Sequence, residues 1–166
     1  MQVPSTTDPA AVVHRLIKDT LPDERGFAAW QSLLRAHASL MRELSTDLAM
    51  RTRLPLGDFD VLAQLARAGG ELRMTDLASR VFSSRSAVSR RVDRLVDEGV
   101  VQRTSSEADG RGVVIALTEA GLARLTEAVP VHLEGVSRLF IQQLDDEELS
   151  ALERALDKVS LHCSYG

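Results

Sequence analysis

Apolar side chains recur every three or four positions through most of the chain, the spacing of helices that bury one face. Between residues 23 and 50, Trp30, Leu33, Leu34, Leu40, Met41, Leu44 and Leu48 keep this spacing, with His37 on the same stripe, and predict one long helix. "RLPLG" interrupts it. Phe59, Leu62 and Leu65 mark a shorter helix that stops at Gly69-Gly70. A short helix from about Thr75 to Val81 follows, and Ser84 then supplies an N-cap for another that ends at Gly99.

"VVQRT" and "GVVIAL" are β-branched runs on either side of the polar stretch "SSEADGRG", and they predict a two-stranded hairpin. Thr118 caps a helix striped by Leu122, Leu125, Val129, Leu133, Val136 and Phe140. Pro130 lies inside that helix, removes a hydrogen bond to the Thr126 carbonyl and predicts a kink. "DDEELSALERALDKV" opens with a capping box, Asp145 and Glu148, and turns Leu149, Leu152, Leu156 and Val159 inward. Residues 1–20 read as a disordered tail. The expected fold is mainly α with a small β-hairpin: four helices, the hairpin, two helices.

Composition agrees. The 166 residues are 44% hydrophobic but only 4% aromatic, which suits one helical domain better than a β-sandwich. Charge changes the picture. The formal net charge is −4. From Arg73 to Arg94, however, six arginines face two acids, a local 6 − 2 = +4 that leaves −4 − 4 = −8 on the remainder. Cys163 is the only cysteine, so no internal disulfide forms; a reducing, cytoplasmic setting is expected, and a redox role for this near-terminal thiol is set aside. No apolar run approaches the roughly 20 residues that cross a bilayer, and the N-terminus lacks signal-peptide character, so no membrane partner is expected. His14, His132 and His162 show no metal-ligand spacing, and no nucleophile, base or phosphate-loop pattern emerges. Neither a cofactor nor an enzymatic activity is expected.

The basic segment is the informative one. On a helical wheel of residues 84–98, Val88, Val92, Leu95 and Val96 fall together. Ser86, Ser89, Arg90 and Asp93 lie opposite, with Arg85 and Arg94 at the borders. Short hydroxyls allow close backbone approach, and guanidinium groups pair bidentately with phosphates or guanine edges. A charged outer face is often merely solvated. Here, though, a matched short helix precedes it and a hairpin carrying Arg111 between Gly110 and Gly112 follows it. That is the order of a winged helix-turn-helix, whose second helix enters the major groove while the hairpin reaches the minor groove.

"DLASRV…SSRSAVSRRVDRLVDEGVVQR", "ADGRG" and "LTEAGL" together resemble the MarR family of bacterial transcription regulators, over nearly everything from about Trp30 to Val159. The resemblance implies a single domain over 21–166. Dimerisation helices would lie in 21–56 and 118–166, around a winged DNA-binding lobe at 57–117. It places Ser84, Arg85, Ser86, Ser89 and Arg90 toward DNA, to which the helical wheel adds Arg94 at the border of the same face, and it makes Asp109 and Arg111 a wing pair in which the aspartate orients the arginine. Gly110 stands where a second arginine is common. It further implies a cytoplasmic homodimer reading a pseudo-palindromic double-stranded operator, acting as a ligand-responsive repressor. Trp30, His37 and Phe59 become candidate contacts for a small aromatic or anionic effector. The competing reading is a helical protein–protein interaction module whose winged lobe binds a protein instead of DNA.

Overall fold

The computed structural model describes residues 8–21, 23–81, 84–105 and 113–164. The chain divides into two compact units, Met1–Arg42 and Glu43–Gly166, with the boundary inside a long helix.

The first unit holds α1 (Pro9–Thr20) and the start of α2 (Glu24–Thr52). Helix α1 corrects the expectation of a disordered tail through residue 20. Asp8 accepts the amide of Ala10 at 3.0 Å, and Pro9 occupies the first turn, where its missing N–H costs nothing. The apolar residues Val12, Val13 and Leu16 of α1 remain exposed, as do Trp30, Leu33 and Leu34 of α2.

The second unit takes in the end of α2, then α3 (Leu56–Arg67), β1 (Glu71–Arg73), α4 (Met74–Arg80) and α5 (Arg85–Asp97). Strands β2 (Val101–Ser105) and β3 (Val113–Leu117) follow, then α6 (Glu119–Leu139), a 3-10 turn (Ile141–Gln143) and α7 (Asp146–Ser164). The hairpin is part of a three-stranded antiparallel sheet in the order β1-β3-β2, pairing Leu72 with Ile115 and Arg103 with Ile115 from the other side. Helices α3, α4 and α5 pack together against this sheet around Leu62, Leu77, Val88, Val92, Leu95 and Ile115, all fully buried. Helix α6 runs unbroken through Pro130 as far as Leu139. The predicted capping box forms, with Asp145 and Glu148 exchanging hydrogen bonds of 3.0 and 2.8 Å.

Gly99, at φ 71°, ends α5 in the left-handed conformation that glycine adopts without strain, and the chain turns straight into the sheet. Where α6 then leaves the sheet, Gly121 lies so close to the Val100 carbonyl oxygen that a Cβ would strike it and Leu117 Cδ1. Gly121→Ala is expected to destabilise the fold by about 1–3 kcal/mol, the usual cost of overpacking, read as a lowered Tm. An unchanged Tm would mean that α6 does not rest on the sheet at this point.

Candidate nucleic-acid interface

Helix α5 is held by its apolar seam. Val88, Val92 and Leu95 are fully buried and Val96 half-buried, as the wheel predicts. Burying three such side chains contributes roughly 1.5–3 kcal/mol each, enough to fix which way the helix faces. Arg85, Ser86 and Arg90 are therefore exposed, and Ser89 is half-buried beside them. The helix starts at Ser84, whose hydroxyl accepts the amide of Ala87 at 3.3 Å and lies 3.3 Å from that of Ser86. Ser84 thus acts first as the cap that sets where the exposed face begins.

Arg94, expected to face DNA, has a partner within the protein. Its Nη2 donates to both carboxylate oxygens of Asp58, at 2.5 and 2.6 Å, and Asp58 is only 2% exposed at the start of α3. That hydrogen bond, reinforced by the carboxylate charge, holds the Arg94 guanidinium further above its ordinary pKa. The side chain ties α5 to α3. Asp93, on the outer face, is taken up by Arg103 of β2 at 2.6 Å, which braces the root of the hairpin against α5. Arg91 lies over Gly57, where a Cβ would come within 2.5 Å of its guanidinium carbon. Asp109 and Arg111, the expected wing pair, lie outside the described residues.

The candidate effector residues separate by environment. Trp30 is 53% exposed and, with Leu21, Asp23, Gly26 and Phe27, lines a mostly apolar cavity of about 400 Å³ in the first unit. His37 is exposed two turns further along α2. Phe59 is buried in the core of the second unit, so packing explains it better than ligand contact. Its ring lies 4.6 Å from that of His132, tilted by 38°. The side chain of Cys163 lies outside the described residues.

His132 has its own consequence. Its Nδ1 is buried and finds no hydrogen-bond partner among the described residues. Burial pushes its pKa down, and the nearby Asp60 carboxylate only partly opposes this. The folded state therefore favours the neutral ring, whereas the unfolded chain takes up a proton at about pH 6.5. Stability from this site is complete above that value and is lost as pH falls through it toward the lower folded pKa. His132→Gln is expected to flatten the decline in urea midpoint between about pH 7.5 and 5.5. An equally steep decline in the variant would remove His132 as its cause.

Sequence reasoning missed Asp58, Glu98, Arg103 and Arg124 as residues that shape this face. Their charges are plain in the chain, but Asp58 meets Arg94, Arg103 meets Asp93 and Glu98 meets Arg124 across separations of 36, 10 and 26 residues, which no periodicity reports.

Comparison with known proteins converges on one family. A MarR family model matches residues 52–112. An uncharacterized HTH-type transcriptional regulator of Bacillus cereus is 33% identical over 137 residues, covering 82% of this chain and 90% of the relative. AbsC, a MarR family transcriptional regulator from Streptomyces coelicolor, superposes with a TM-score of 0.80 at 30% identity, over 88% of this chain and 99% of its own. Sco3205, a MarR family regulator from the same organism solved in complex with DNA, gives 0.77 at 28% identity, over 84% and 92%.

Proposed function

This chain belongs to the MarR family of transcriptional regulators, and on that premise we propose that it is a homodimeric, ligand-responsive repressor that reads double-stranded DNA with the outer face of α5. The observation that carries the reading is the orientation of that helix. Val88, Val92 and Leu95 of its apolar seam are fully buried, and Arg85, Ser86, Ser89 and Arg90 are directed to the opposite side. Sco3205, similar over most of both chains, was solved on DNA. Ser84 sets the start of the reading helix, and Asp109 with Arg111 completes the interface as the wing pair. Arg94 acts behind the face through Asp58.

Dimerisation follows from apolar surface that the single chain leaves open. Trp30, Leu33 and Leu34 on α2 are exposed, as are Leu133 on α6 and Leu156, Val159 and Leu161 on α7. Exposed apolar residues on helices of this kind mark interaction surfaces, and a second copy would cover them symmetrically. Two reading helices about a two-fold axis address half-sites roughly 10 bp apart. A dimer seated on a promoter blocks it, hence repression. The Trp30 cavity is the proposed effector site. Its apolar walls favour an aromatic compound, and Asp23 in its lining disfavours an anionic one.

Selection of bound duplexes from a random pool, followed by mapping of the protected bases, tests the reading. The expected result is an inverted repeat with half-sites about one helical turn apart. Recovery of no enriched sequence would refute it.

A further inference from the structure

A line of charged groups runs from the reading helix to the corner between α2 and α3. Arg94, already bound to Asp58, brings its Nε to 3.9 Å from Glu98 Oε1, one turn further along. The other oxygen of Glu98 accepts a short hydrogen bond from Nη1 of Arg124 on α6. Nη2 of Arg124 donates to the carbonyl oxygen of Arg53 at 3.3 Å. Arg53 follows the last residue of α2 and has φ 57°, left-handed backbone that is uncommon for a residue with a Cβ. Its carbonyl sits at the negative end of the α2 dipole, where a cation is favoured. Arg124 is mostly shielded, its side chain 28% exposed, so this contact is less screened than a surface pair.

The two kinds of attachment on α5 differ in what they constrain. Apolar burial of Val88, Val92 and Leu95 resists removal of the helix but is non-directional, so it tolerates small rotations and slides. A guanidinium fork held by two acceptors is directional. Glu98 is the C-cap of α5, so a bond there controls the tilt of the helix and with it the direction of Arg85 and Arg90.

We propose that Glu98 and Arg124 are positioning residues for DNA reading: they tie the end of α5 to α6 and to the α2–α3 corner, so that a displacement of α6 is delivered to the reading face. The inference rests on the DNA-binding role of α5. It adds the path by which the helices proposed to dimerise set the aim of the one that reads.

The test uses the full chain, the duplex selected by the wild-type protein and a scrambled duplex of equal length. Arg124→Gln and Glu98→Gln are each expected to lower the ratio of selected to scrambled affinity about tenfold, well below the Tm of each variant. Residues acting through one bond do not add, so the double variant should match the worse single variant within about twofold instead of losing about a hundredfold. Arg124→Lys, which keeps the charge but cannot fork, should recover only part of the ratio. If the single variants lower Tm yet leave the ratio at the wild-type value, the pair is merely structural and the proposal is overturned; a multiplicative double variant also overturns it. Failure of the wild-type chain to select any duplex would instead strike the DNA reading itself.

Discussion

Arg90→Ala is expected to weaken binding to the selected duplex about thirtyfold or more while leaving Tm unchanged. The size follows from the chemistry of a base-edge contact. A bidentate arginine discriminates by about 1–3 kcal/mol, and a symmetric dimer makes the contact twice, so even the lower limit gives about 2 kcal/mol. Arg90 is exposed on α5, and exchanging an exposed helical arginine for alanine alters stability by no more than about 0.5 kcal/mol. Competition binding against single-base variants of the duplex checks the assignment. Preference should relax at one base pair in each half-site. Equal losses on every sequence would move Arg90 to a phosphate contact, and an unchanged affinity would mean that this face does not read DNA.

Arg94→Ala is expected to act through stability, and more strongly than substitution of its partner. Asp58 is 2% exposed while the Arg94 side chain is half in water. Removing the arginine leaves a carboxylate buried without its counter-charge, which costs about 3 kcal/mol. For a chain of this length, that lowers Tm by about 6–12 °C. Asp58→Asn leaves an amide that still accepts one hydrogen bond, opposite an arginine that water can solvate, so about 1 kcal/mol is expected. Asp58→Leu with Arg94→Met should recover most of the loss, because a buried ion pair contributes little beyond an apolar pair of similar volume. Thermal denaturation followed by circular dichroism measures all three. Equal effects of the two single substitutions would contradict the asymmetry.

Both predictions bear on how much the chain discloses before it folds. The α5 seam was legible because helical periodicity depends on neighbours three and four apart, and burial of Val88, Val92 and Leu95 follows it directly. Caps at Ser84, Thr118 and Asp145 were legible for the same reason: the donor and acceptor lie within three residues. Helix α1 was overlooked although its signal was present, an aspartate before a proline at the helix start. Strand β1 has three residues, too few to display alternation, and exists because β3 pairs with it across more than forty residues. The bond Arg94 makes was not legible because a helical wheel shows which side a residue faces and nothing of what waits there. Its carboxylate partner comes from α3, 36 positions earlier. Phe59 illustrates the same limit, since its apolar character suited a ligand wall or a core equally well until α6 placed His132 against it.

The most direct test of α5 as a DNA-reading surface is the affinity of the protein for its selected duplex, measured across a salt series. Guanidinium contacts to phosphates release counterions, so the logarithm of affinity should fall linearly with the logarithm of salt, by about 0.9 for each phosphate neutralised. A steep slope, made shallower by about two when Arg85 is replaced by alanine on both protomers, is the predicted result. A slope near zero from low to moderate salt would contradict the account and point to a protein partner for the winged lobe.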